Sequence, residues 1–269
     1  SECGFHMDLG LKNKVALITG ASRGLGAATA EALAEEGASL VLTARGTESL
    51  NAQAERLGSA NGVKAVAVPA DLTKEDAANQ VVNTALDAFG GIDILVNSAG
   101  ASQGGVFWEL SDQVWQDSMD LKVMGTVRMM RAVIPGMIDR KGGRIVNIVG
   151  NTGMQPSPRL LPGASANAAL LAITRGVAED LAPHNIVVNA LNPGPTRTER
   201  WTTLMDRLAK SSGRSVADVE RDYTEQIPMD RLASPTEMGR LAAFLASEKA
   251  ANMTGACLTA DGGWTKGIG

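Results

Sequence analysis

The stretch "KVALITGASRGLGAATAEALAEEG" (residues 14–37) changes period in the middle: a short apolar run ends at Gly20, and an alanine-rich segment of helical period begins at Gly24. Between them lie Gly20, Ser22, Arg23, Gly24, Leu25 and Gly26. Gly20 permits a sharp turn, Gly24 and Gly26 permit close backbone approach, and a helix starting there turns unpaired N–H groups outward. That combination is an anion cradle. A glycine triplet alone also serves any tight turn before a helix, but at a strand-to-helix junction in a βαβ unit it points to a dinucleotide. At the end of the next strand the chain reads "TAR" (43–45). Ala44 offers no carboxylate for ribose hydroxyls, whereas Arg45, with Arg23, suits a 2'-phosphate. The expected cofactor is therefore NADP(H) in preference to NAD(H), the alternative being that both arginines are solvated surface charges.

Working outward, "SLVLTAR", "VKAVAVPAD", "IDILVNSAG", "GRIVNIVG", "NIVVNALNPG" and "ACLTADGG" repeat the buried-strand pattern, and apolar-periodic segments separate most of them. The alternation predicts an α/β fold, a doubly wound parallel sheet with helices on both faces. No linker, repeat or low-complexity segment divides residues 7–269, which read as a single domain. Residues 195–230 break the pattern as a charged amphipathic insertion, expected to lie as a substrate lid over the carboxyl ends of the strands. The opening "SECGFH" has none of the character of the rest of the chain and reads as a remnant foreign to the fold.

With 25 basic and 29 acidic residues interspersed, net charge -4, the chain gives no electrostatic case for nucleic acid or an anionic membrane. A small-molecule substrate is the expected partner. Two cysteines make no disulfide framework, and neither a signal peptide nor an apolar run of about 18 residues appears. A cytoplasmic protein is expected. Neither histidine sits at metal-ligand spacing with other donors, so no metal is expected.

Six motifs in order, "TGASRGLG" (19–26), "DL" (71–72), "NSAG" (97–100), "GRIVNI" (143–148), "NPG" (192–194) and "DGG" (261–263), make the chain resemble the short-chain dehydrogenase/reductase family over nearly its whole length. The resemblance implies a single-domain Rossmann fold with a seven-stranded sheet. It further implies that Asp71 and Leu72 contact adenine, that Asn97, Ala99 and Gly100 line the cofactor cleft, and that Pro193, Gly194, Thr196 and Thr198 flank the nicotinamide. Helices over 111–139 and 163–181 would pack against symmetry copies in a homo-oligomer, a tetramer by resemblance.

The family's chemistry rests on a serine, a tyrosine thirteen positions later, a lysine four beyond that and an asparagine on the preceding long helix. Anchoring on "GRIVNI" and Gly153 puts the serine position at Gly150; anchoring on "AAL" (168–170) puts the lysine position at Asn167 and the tyrosine position at Gly163. The anchors agree, since 163 − 150 = 13. On the long helix Gly125 aligns the asparagine position with Lys122. By this alignment all four are replaced, and glycine has no side chain with which to move a proton. Lys122 and Asn167 are the family's lysine and asparagine exchanged, and they are the candidate catalytic residues.

Lys122 shares a helical stripe with Ser118 and Thr126. It reads either as a partly buried amine with a depressed pKa or as a lysine snorkelling at a subunit interface. Arg159, in the proline-stiffened substrate loop, reads either as a clamp for a substrate carboxylate or phosphate or as a surface cap. Trp201, with Leu204, Met205 and Leu208, suggests an apolar lid underside facing substrate, or plain packing. Tyr223, the only tyrosine, reads as packing or lid surface, and His184 as a loop histidine. Three functions fit: a divergent oxidoreductase acting on a small carbonyl or hydroxyl substrate, an inactive dinucleotide-binding subunit forming a heteromer with an active paralogue, and a non-redox, lyase-like activity in the same cleft.

Overall fold

Successive side chains on a strand face opposite ways, so a strand that is apolar throughout must be covered twice. Seven strands, the central ones covered on both faces, form one parallel sheet: β1 (Val15–Thr19), β2 (Ser39–Ala44), β3 (Ala65–Pro69), β4 (Ile94–Asn97), β5 (Gly143–Ile148), β6 (Ile186–Pro193) and β7 (Cys257–Ala260). Their order is β3-β2-β1-β4-β5-β6-β7. The computed structural model describes residues 7–267; the remnant expected over residues 1 to 6 lies outside the described residues.

Alternate residues feed two cores. Ala16, Ile18, Leu40, Leu42, Ile94, Val96 and Val146 join a core under α1 (Gly24–Glu35) and α2 (Thr47–Asn61). Leu17, Val41, Leu95 and Ile145 join the opposite core, with Val81 and Val82 of α3 (Ala77–Phe89). The long segment expected over 111–139 is α4 (Asp112–Ser118), a π-helical turn (Met119–Met124) and α5 (Gly125–Asp139). Met129 and Val133 of α5 fill the second core together with Ala178 and Leu181 of α6 (Leu161–Leu181). The fold is thus the doubly wound Rossmann sheet expected from the alternation.

Between β6 and β7 come α7 (Glu199–Ser212), α8 (Val216–Thr224) and α9 (Pro235–Ala246). The last covers the first core through Met238, Ala242 and Ala243. The α7–α8 pair has a small core of its own, with Trp201, Met205, Ala209, Val219, Ile227 and Leu232 buried. Tyr223 stands between Trp201, edge-on at 5.4 Å, and Trp264 at 6.2 Å. Among the described residues no helix is long and apolar enough to cross a membrane, and no cluster of His, Cys, Asp and Glu could hold a metal ion.

The chain winds from β1 outward to β3, then crosses to β4 on the other side of β1. The carboxyl ends of β1 and β4 therefore flank a crevice where a ligand can enter. Beneath it runs a buried polar chain: Asn97 Nδ2 donates to Asn147 Oδ1 (2.9 Å), and Asn147 Nδ2 donates to Thr174 Oγ1 (2.9 Å). Asn147→Ala removes the middle link and strands buried groups on β4 and α6, a cost of about 1–3 kcal/mol. Urea denaturation checks this; a midpoint equal to that of the parent would show the chain to be dispensable.

Candidate active site

Thr19 ends β1 and sets one wall of the crevice. Its Oγ1 accepts from the backbone N–H groups of Ser98 and Ala99, each at 3.0 Å, which holds the turn after β4 against the turn after β1. Gly20 follows with φ +67°, and a Cβ there would stand 3.0 Å from the Ala99 backbone. Gly26 is the tightest point, for its Cβ would lie 2.3 Å from the Gly20 carbonyl oxygen. The first turn of α1 has no side-chain cap and no acidic residue. Free N–H groups and the positive end of the helix dipole thus face the crevice beside Ser22, Arg23, Gly24 and Leu25, a setting that fits a phosphate.

Arg45, exposed after β2, makes no hydrogen bond or ion pair among the described residues, and its charge helps hold the Asp71 carboxyl below its usual range. Thr73 hydrogen bonds to Asp71, from N (3.1 Å) and Oγ1 (2.9 Å), act the same way, while burial opposes them as the largest single influence. Leu72 is buried against Gly125. Arg23 has Nη1 3.6 Å from Glu199 Oε2, in a pair exposed on both sides. On the far wall, Pro193 ends β6, Gly194 packs on Asp261, and Thr196 Oγ1 donates to the Gly194 carbonyl at 3.0 Å. Thr198 caps α7, its Oγ1 accepting from Trp201 N.

Lys122 lies in the π-helical turn, 8% exposed, with Ser118 and Thr126 buried above and below it. It is therefore neither a solvent-facing nor a snorkelling lysine within this chain. Its stem runs along Gly100, where a Cβ would meet Cγ and Cε at 3.1 Å. Nζ donates to Asn167 Oδ1, and Asn167 Nδ2 donates to Thr152 Oγ1 (2.9 Å) and the Gly150 carbonyl (3.3 Å). The two helices thus meet at these two side chains. Burial pushes the Lys122 pKa down to about 8, and the positive charge of Arg200 adds to the effect.

Gly150 and Gly163 line the same corner. Gly150 has φ +130°, a conformation L side chains rarely adopt, and its Cβ would sit 2.9 Å from Asn167 Nδ2. Beside Gly163 stands Ser102, whose Cβ and Oγ are each 3.1 Å from the Cβ position. Arg200 Nη2 donates to the Ser102 carbonyl at 3.3 Å, closing the corner from the lid.

Neither Ser102 nor Arg200 carries a motif in the sequence; the one available signal is the helix start at Thr198, which aims the first turn of α7 at the glycine turn. The carbonyl of Arg159 accepts from Gly105 N at 2.9 Å, while its side chain is exposed. Trp201 is buried in the small core of the α7–α8 pair, its Nε1 without a hydrogen-bond partner among the described residues. This corrects the expectation of an indole facing substrate: α7 and α8 must bury their apolar faces somewhere, and they do so against each other.

A glycine turn at a helix N-terminus, on the carboxyl side of a doubly wound parallel sheet, defines an α/β protein with a nucleotide-binding type of crevice. Residues 14–209 match the family model described as short chain dehydrogenase. The chain is 33% identical over 257 residues to 3-oxoacyl-[acyl-carrier-protein] reductase FabG of Aquifex aeolicus, covering 96% of this chain and 99% of the relative. It is 38% identical over 259 residues to oxidoreductase UcpA of Salmonella typhimurium, covering 95% of each. L-sorbose reductase from Gluconobacter frateurii, solved with NADPH and L-sorbose, superposes with a TM-score of 0.93 at 36% identity, over 97% of this chain and 100% of that one. The chain belongs to the short-chain dehydrogenase/reductase family.

Gly26→Ala tests the turn. Its methyl group would press on backbone that cannot yield cheaply, so a loss of about 1–3 kcal/mol is expected, with weakened dinucleotide binding. A variant that melts and binds like the parent would disprove the close approach.

Proposed function

We propose that the protein is an NADP(H)-dependent oxidoreductase acting on a small carbonyl or hydroxyl compound, with Lys122 as its proton donor and acceptor. The observation that carries this reading is a buried ammonium whose one hydrogen-bond partner among the described residues is Asn167. A buried cation so sparsely paired favours a further oxygen in the crevice. The alignment that puts Gly150 and Gly163 at the family's serine and tyrosine positions belongs to the same proposal.

The nicotinamide, when bound, supplies or accepts the hydride. Gly20, Ser22, Gly24, Leu25 and Gly26 with the α1 N-terminus would hold its phosphates, Arg45 the 2'-phosphate, and Asp71 and Leu72 the adenine side. Asn97, Ala99, Gly100, Pro193, Gly194, Thr196 and Thr198 would line the path to the reacting end. In reduction, Nζ of Lys122 gives a proton to the oxygen that gains negative charge, directly or through water, and is left neutral. In oxidation it takes that proton back. Asn167 Oδ1 orients the amine, and its own amide is held by Thr152 and the Gly150 carbonyl. The filled space beside Gly163 favours a second reading, a dinucleotide-binding subunit without chemistry that assembles with an active paralogue.

Arg45 decides the cofactor prediction. NADPH should bind more tightly than NADH, and Arg45→Ala should weaken NADPH by about 1.5–3 kcal/mol, near that of a charge-assisted contact. Titration calorimetry reads both; equal affinities or an indifferent variant would overturn the preference.

For Lys122, the pKa of about 8 sets the sign. The reductive kcat/KM needs the ammonium, so it should fall as pH rises through about 8, and the oxidative rate should rise over the same range. Lys122→Met should lower turnover by at least ~10²-fold while leaving NADPH affinity near that of the parent. Linkage supplies a substrate-free check: between about 8 and the ordinary 10.5 the folded chain holds fewer protons than the unfolded one. The parent should gain stability relative to Lys122→Met as pH rises through that window, by at most ~3 kcal/mol. A flat difference would mean that the lysine is not desolvated.

A further inference from the structure

Arg200 is the second residue of α7, and its guanidinium is tied to the Ser102 carbonyl at 3.3 Å. Ser102 packs on Gly163, one helical turn before Asn167, and its Oγ lies 3.2 Å from Ser118 Oγ on the stripe that carries Lys122. The lid cation and the buried ammonium therefore border the same corner.

Among the described residues no carboxylate pairs with either of them. Arg200 makes no ion pair among the described residues. Its neighbour Glu199 reaches the other way, to Arg23. Asp261 is occupied by the backbone N–H groups of Gly263 (3.0 Å) and Thr265 (2.8 Å), and Asp120 by Arg128 (2.9 Å). Arg200 is exposed at the rim of the corner; partial loss of solvent lowers the pKa of its guanidinium, and no anion among the described residues offsets this. The Arg200 charge acts unfavourably on the Lys122 ammonium, and an entering anion would offset it.

We propose that the substrate carries an oxyanionic group, a carboxylate or phosphate, and that Arg200 is the residue that binds it while the carbonyl lies at Lys122. The inference rests on the oxidoreductase reading above and narrows its substrate class. It assigns to Arg200 the anchoring role that sequence spacing suggested for Arg159. It also links binding to chemistry: an anion on Arg200 cancels the charge that acts on Lys122 and so favours the protonated amine when a substrate of the right class is present.

The test compares charged carbonyl compounds with neutral counterparts at saturating NADPH: pyruvate and acetoacetate against their methyl esters, and dihydroxyacetone phosphate against dihydroxyacetone. The charged member of at least one pair should have the higher kcat/KM, by roughly 10- to 100-fold, and which pair responds separates carboxylate from phosphate. Arg200→Gln should collapse that ratio toward one. Arg207→Gln, an exposed cation farther along α7, should leave it intact.

Turnover without preference for the charged member, or a preference that survives Arg200→Gln, overturns the inference and leaves the oxidoreductase reading standing. A second measurement needs no turnover: the same anions should raise the Tm of the NADPH-saturated parent and not that of Arg200→Gln. That shift without any NADPH consumption supports the anion site and sinks the oxidoreductase reading. No shift with any anion overturns the site.

Discussion

An ammonium carried into a protein interior has lost its water and must find oxygen atoms in exchange. Lys122 finds one, on Asn167, and much of the local architecture serves that contact. The π-helical turn places the lysine at the junction of α4 and α5, and the bare backbone of Gly100 leaves room for its stem. Asn167 is steadied in turn by Thr152 and the Gly150 carbonyl. Gly150 is then bound to remain glycine twice over, by its positive φ and by the 2.9 Å that separates its Cβ position from the Asn167 amide. A serine at 150 would meet both obstacles. Lys122, Gly100, Asn167 and Gly150 thus form one packed set.

The parallel sheet determines where such a corner can exist. Helices cover both of its faces, and the carboxyl ends of its strands are open to ligand at the point where the winding reverses, between β1 and β4. Thr19 sits at that reversal and uses a single hydroxyl oxygen to fasten the turn after β4. Because Ala99 and Gly100 belong to that turn, one contact positions both the dinucleotide cradle and the backbone along which Lys122 runs.

The range of each interaction determines how much of this can be read from the sequence. The seven strands and the glycine turn are legible because apolar period and turn chemistry are local properties. Lys122 and Asn167 are legible through fixed spacing from Gly125, Gly153 and the "AAL" run, although spacing does not separate a cleft lysine from an interface lysine. The structure adds that the lysine is buried within its own chain. Arg200 and Ser102 are not legible: the contact between them spans 98 positions, and neither residue type is unusual in a loop or at a helix start. Trp201 shows the opposite failure. Its helical stripe is visible, but periodicity reports that a face is apolar without telling what covers it, and the cover is Val219 and Tyr223 of the adjoining helix.

The first turn of α7 joins the two halves of the site. Consecutive residues on a helix point about 100° apart, so Glu199 and Arg200 diverge, the former to Arg23 on the glycine turn and the latter to Ser102 beside Gly163. Thr198 fixes the start from which they diverge, by accepting from Trp201 N and by lying against Gly24, whose Cβ position is 3.9 Å from its methyl group. The exposed Arg23–Glu199 pair contributes little to stability, at most about 1 kcal/mol. Its effect is on placement: with Glu199 drawn outward, the one carboxylate in the first turn of α7 is turned away from Arg200 at the corner that Lys122 shares.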